Sequence, residues 1–147
     1  MIRLRSLLPL LALVLLPRVA AAQAEAPSLE AFVASVARHW SAAGASELVA
    51  LAPADGRILL DLGAEVAGAV QERHVVAALR DLFRERETVS IRPTQVTLAG
   101  GAPLRGFGEL SWVSRPRGVT RPVTSTVYVG AVYEGTAWRI RELRVLR

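Results

Sequence analysis

The chain has no cysteine and no lysine, a single methionine, and only 5% aromatic residues. The missing cysteines exclude disulfides, thiol catalysis, a lipidated N-terminal cysteine and Cys-ligated zinc. With only two histidines besides, a closed zinc site lacks a ligand set. Neither a phosphate-cradling glycine loop nor a dinucleotide fingerprint is present. The absence of lysine makes all 18 basic residues arginine, a mark of genomic base composition more than of chemistry. Net charge is scarce once the N-terminus is set aside. Residues 1–24 carry Arg3, Arg5 and Arg18 and no acid, and the remaining 15 arginines face 13 acids, leaving +2 of the formal +5. The computed pI of 11.1 therefore does not argue for a nucleic-acid partner.

What is present first is an export pattern. A basic start, Met1–Arg5, leads into the leucine-rich run Leu7–Leu16. At about ten residues this run is half the length that spans a bilayer. Small residues at Ala20-Ala21-Ala22-Gln23-Ala24 then supply a cleavage site. This order predicts a cleavable signal peptide over 1–24, cut after Ala24 or after Ala22, with an uncleaved anchor as the alternative. The mature chain is expected to be periplasmic or secreted, and to meet the membrane only through this segment. Residues 25–147 are enough for one domain with one core.

Ser28 is placed to cap a helix in which Leu29, Phe32, Val33, Val36 and Trp40 share a face. That helix should stop near Ala43-Gly44, with Ser46 capping a short second helix over Ala45–Leu51. Arg57–Leu62 reads as a strand, and Gly63–Gly68 as a small-residue connection. Gln71–Arg86 forms the strongest helix, with Val75, Val76, Leu79, Leu82 and Phe83 as its apolar stripe. The period then changes to two. Thr88–Leu98, with a bend near Pro93, is followed by Leu104–Ser114, Val123–Tyr133 and Thr136–Leu146. Asp-Gly and Glu-Gly pairs at Asp55-Gly56 and Glu134-Gly135 mark tight turns. Four consecutive strands with short connections are expected to be antiparallel neighbours. Two amphipathic helices need one sheet face to bury against, so the expected class is a two-layer α+β domain.

Chemistry-bearing residues are few. His74 falls on the polar face of the long helix, and His39 at the edge of the first helix's apolar face. The strand carboxylates Asp61 and Glu109 are weak candidates for a general base, with Glu142 a third and Tyr128 an available donor. Each also reads as a solvent-facing strand residue, since Glu109 shares parity with Phe107, Ser111 and Val113, opposite Leu110 and Trp112. Arg115, Arg117 and Arg121 cluster in one loop and are candidates for an anion or acidic-partner surface. A solvated loop is the plainer reading of them.

The order of elements resembles the nuclear transport factor 2-like superfamily, which includes ketosteroid isomerase-like and SnoaL-like proteins. Within it the chain is most similar to a family of small exported bacterial proteins of unknown function. The resemblance rests on Trp40–Leu48 leading to Ile58–Leu62, on Val70–Phe83, on Gly108-Glu109-Leu110, on Val127–Val129 and on Trp138–Val145. Leu82-Phe83 stands where that family has two adjacent aromatics, and the Arg115–Arg121 loop is longer than its usual hairpin. The resemblance implies N-terminal helices packed on a strongly curved antiparallel sheet, the cystatin-like cone. It implies a pocket able to open at the wide end, and homodimerisation through the sheet face. Trp40, Phe83, Trp112 and Tyr128 are the pocket-lining candidates on this reading, and a packed core is the other use of the tryptophans and Phe83. No cofactor, metal or nucleic acid is expected. The reading carried forward is an exported, non-catalytic domain that binds a small apolar ligand or a protein partner. Two others compete: an isomerase- or cyclase-type enzyme with Asp61 or Glu109 as base, and a structural dimerisation module.

Overall fold

The computed structural model describes residues 28–63 and 68–147. The export segment and its cleavage sites lie outside the described residues. Helix α1 spans Leu29–Ser41, and its first turn is closed by the Ser28 hydroxyl, which accepts from the Ala31 N–H at 3.1 Å. The left-handed residue that ends α1 is Ala43, φ 55°, one position before the glycine expected there. Gly44, not Ser46, then occupies the N-cap of α2 (Ala45–Val49), with no side-chain capping bond. Strand β1 (Arg57–Asp61) and strand β2 (Gly68–Gln71) precede α3 (Glu72–Glu85), and β3 (Arg86–Gly100), β4 (Arg105–Pro116), β5 (Val123–Glu134) and β6 (Ala137–Leu146) follow. Among the described residues no helix is long and apolar enough to cross a membrane.

The six strands form one sheet in the order β2-β1-β6-β5-β4-β3. From β3 to β6 the pairing is antiparallel throughout, as four consecutive strands require. The expectation of a strongly curved antiparallel cone is corrected on two counts. First, β1 pairs with β6 in parallel, Leu60 opposite Leu143, so the sheet is mixed. Second, the sheet is not strongly curled or closed. Its edge strands β2 and β3 are separated by all four other strands and do not pair. Strand β2 replaces the end of the connection expected over Gly63–Gly68 and makes an antiparallel edge with β1. Register shifts in β3 fall near Pro93, as the slip in parity indicates, and also near Val89 and Ala99.

The helices cover one face of the sheet. Val33, Val36, Trp40, Leu48, Ile58, Val75, Leu79, Leu110, Trp112, Val127, Val129, Ile140 and Leu143 are fully buried between the layers. Alternation along β4 sends Leu110 and Trp112 into this core and leaves Phe107, Glu109, Ser111 and Val113 half-buried on the outer face. Close approach of α1 to β4 rests on two glycines. A Cβ at Gly106 would meet Leu29, and one at Gly108 would sit 2.7 Å from both Cγ atoms of Val33. At the far end the α2–β1 loop is pinned to β6. The Ile140 N–H donates to the Leu51 carbonyl at 2.7 Å, and Arg141 donates to the Asp55 carboxylate at 2.9 Å. The Arg57 backbone N–H and then Arg141 hold the Asp55 carboxyl below its usual range. Arg141 is thus occupied structurally and is not a free surface charge.

Candidate functional site

The two long helices end at the same edge of the domain, where β3 begins and the β4–β5 loop folds over. Between them lies an open cleft of about 980 Å³. Its walls include Phe83, Pro116 and Val119, with the strand starts at Arg86 and Thr88 beneath. The loop is held in place by the α3 C-terminus. The Arg117 N–H donates to the Glu85 carbonyl at 2.7 Å, and Arg117 Nε donates to the Arg84 carbonyl at 3.1 Å. An arginine at these free carbonyls also complements the negative end of the helix dipole. A smaller cleft of about 540 Å³ lies beyond and includes Val123, Ser125 and Arg147. Arg86 lines both.

Arg86 is the unusual residue here. Its Nε donates to the Ser114 hydroxyl and its Nη2 to the Ser125 hydroxyl, each at 2.9 Å. Its guanidinium lies over the Trp112 ring, 4.0 Å from the centroid, a cation–π contact. Trp112 is fixed from its own edge, with Nε1 donating to Thr88 Oγ1 at 2.9 Å. Behind it Trp40 makes edge contacts with both Trp112 and Phe83 at 5.2 Å. Burial lowers the Arg86 pKa, and repulsion from Arg147 lowers it further. Among the described residues no carboxylate lies within ion-pairing distance of Arg86.

The residues singled out from the sequence fall into separate places. Trp40 and Trp112 are fully buried core residues, not an exposed lining. Phe83 is half-buried and does line the cleft. Tyr128 lies on the opposite, outer face of the sheet, stacked on Phe107 at 5.5 Å and paired in register with Glu109 and Arg144. Burial and then Glu142 push its pKa up. Asp61 is on that same outer face, in register with Arg144, and its carboxylate accepts from the Gly63 N–H. Asp61 and Glu109 therefore line neither cleft at the helix ends. Of the loop arginines, Arg115 and Arg117 line the larger cleft and Arg121 does not. Arg115 pairs loosely with Glu87 at 3.9 Å. His39 is half-buried and His74 exposed. No group of three or more histidine or acidic side chains among the described residues is placed to hold a metal ion.

Arg86, Ser114 and Ser125 do not stand out among the candidates the sequence offers. A signal for them exists. Ser114 continues the inward parity of Leu110 and Trp112, and Ser125 that of Val127 and Val129. Both are buried. Two hydroxyls on a core-facing stripe demand a polar partner, and Arg86 at the adjoining strand start supplies it. If the trio served stability, removing all of it would be costly. Arg86→Met alone should destabilise by about 2 kcal/mol, since it strands two buried hydroxyls. Arg86→Met with Ser114→Ala and Ser125→Ala should return to within about 1 kcal/mol of the parent or exceed it, because nothing polar is left unpaired. Urea unfolding measures both. A triple variant weaker than the single one would make the trio a structural brace.

No protein-family model matches the chain, and no curated protein matches it. Solved structures do. A DUF4783 family protein from Bacteroides uniformis is similar at TM-score 0.62 and 12% identity, over 76% of this chain and 93% of that one. A ketosteroid isomerase-like protein from Erwinia carotovora atroseptica is similar at TM-score 0.62 and 12% identity, over 78% and 90%. A ketosteroid isomerase-like fold protein from Catenulispora acidiphila, in complex with trimethylamine, is similar at TM-score 0.61 and 15% identity, over 83% and 86%.

Proposed function

We propose that this chain, which shares the fold of nuclear transport factor 2-like and ketosteroid isomerase-like proteins, DUF4783 family proteins among them, is an exported, non-catalytic domain that binds a small ligand in the cleft where α1 and α3 end. The observation that carries this reading is Arg86, a half-buried cation that lines an open cleft with no acidic partner among the described residues. Two further facts support it. The carboxylates that line the larger cleft, Glu85 and Glu87, are exposed to solvent and not set in an apolar floor. A protein of the same fold is in complex with a small organic molecule, trimethylamine.

The test uses the mature chain and the apolar anion 1-anilinonaphthalene-8-sulfonate. Its amide shift changes should centre on residues 41–43, 83–88 and 115–120. Changes centred on Phe107, Glu109 and Tyr128 would move the site to the outer sheet face. Intact mass of the protein recovered after the full chain is expressed in an exporting host reads the export proposal, which puts the first residue at Glu25, or at Gln23 for the earlier cut.

A further inference from the structure

Resting on the cleft as the ligand site, we propose that its ligand is a monoanionic amphiphile, a single carboxylate on an apolar body, and that Arg86 is the residue that takes the carboxylate.

The argument starts from the guanidinium. Arginine offers five N–H donors in a planar fork. In Arg86 the side edge is used, with Nε bonded to Ser114 and Nη2 to Ser125. One face is covered by Trp112. The opposite end, where Nη1 and Nη2 each keep an N–H, is the edge that binds a carboxylate with two parallel hydrogen bonds. A half-buried cation is normally matched by an acid. Here the flanking acids are turned to other tasks or to solvent. Glu87 pairs with Arg115, and Glu85 is exposed. The two serines and the ring hold the fork in place at no charge of their own, as a preorganised acceptor of charge requires.

Local charge sets the sign. The larger cleft is lined by Arg84, Arg86, Arg115 and Arg117 against Glu85 and Glu87. Arg84 is also paired with Asp81 outside the cleft. Within the larger cleft an excess of one positive charge remains, which one carboxylate matches, and Arg147 adds to the pull on an anion from the smaller cleft that Arg86 also lines. Phe83, Pro116 and Val119 supply apolar wall for the rest of the ligand.

The experiment titrates the mature chain with decanoate, decanol, decyltrimethylammonium and inorganic phosphate, read by calorimetry. Decanoate should bind at least about tenfold tighter than decanol, the size of a charge-assisted hydrogen-bonded pair. Decyltrimethylammonium should bind more weakly than decanol, and phosphate should not displace decanoate at equal concentration. Arg86→Gln should cost decanoate at least about tenfold while leaving decanol within about twofold. Arg86→Lys should fall between, keeping charge and losing the fork. Ser114→Ala with Ser125→Ala, which keeps Arg86 and frees it to move, should weaken decanoate several-fold. Equal binding of decanoate and decanol, with no response to Arg86→Gln, would overturn the anion assignment and leave the cleft as an apolar site. Phosphate binding as tightly as decanoate would overturn the amphiphile. Failure of all three ten-carbon probes, together with no cleft response to the naphthalene sulfonate, would remove the cleft reading itself.

Discussion

Trp112→Ala should destabilise the domain by about 4 kcal/mol, at the upper range for a large-to-small core substitution. Trp112 is fully buried, and its loss opens a cavity beside Trp40. Three specific contacts go with it: the edge contact with Trp40, the hydrogen bond to Thr88, and the ring face under Arg86. Since a domain of this size is stable by only about 5–15 kcal/mol, the variant should sit near the limit of folding. Trp112→Phe keeps the ring contacts and strands only Thr88, so about 1–2 kcal/mol is expected. Urea unfolding of both variants measures the difference. The result also separates the two uses of the aromatics. A pocket-lining tryptophan could be truncated cheaply; one that joins the core to the site could not.

Gly108→Val should cost about 3 kcal/mol, among the larger overpacking penalties. Its Cβ would arrive 2.7 Å from both methyls of Val33, which is itself fully buried in α1. A valine in a helix has one strongly preferred rotamer and cannot swing away, so the helix must shift. The strand gains only about 0.5–1 kcal/mol from losing a flexible residue, too little to offset the clash. Gly106 tests the same crossing. A Cβ there meets the end of the Leu29 side chain, which can move, and the Thr97 carbonyl oxygen at 3.0 Å, which is backbone, so Gly106→Ala should also destabilise. Thermal unfolding of the series checks this. A double variant with Val33→Ala should recover part of the Gly108→Ala loss, a coupling visible in a double-mutant cycle.

Much of this architecture is legible in the chain because it follows from local period. The stripes of α1 and α3 place Trp40 and Leu79 inside, and alternation in β4 separates Trp112 from Glu109. Turn residues locate the β5–β6 hairpin. What is not legible depends on residues distant in sequence. Strand β2 is four residues long and runs straight into α3, too short to show a period. The parallel pairing of β1 with β6 joins positions about 80 residues apart, and nothing local to Ile58–Asp61 selects it over an antiparallel partner. That pairing extends the sheet sideways as an open, mixed layer, in place of the strongly curved antiparallel cone the resemblance implies. The Arg86 constellation is hidden for the same reason. Its members come from three strands, and from the sequence Arg86 reads as the end of the long helix and the serines as ordinary strand residues. Only the inward parity of Ser114 and Ser125 hints at it. The visible arginines, by contrast, drew attention to the loop. The structure uses Arg117 to fasten that loop over α3, and so shapes the cleft that Arg86 lines.

The most direct test of the account is a crystal structure of the mature chain grown with decanoate. The account predicts the carboxylate about 3 Å from Nη1 and Nη2 of Arg86, with the chain of the ligand along Phe83 and Val119, and Arg86 still bonded to Ser114 and Ser125. Decanoate seated on the outer sheet face beside Tyr128, or in the cleft with its carboxylate turned to solvent and away from Arg86, would contradict it.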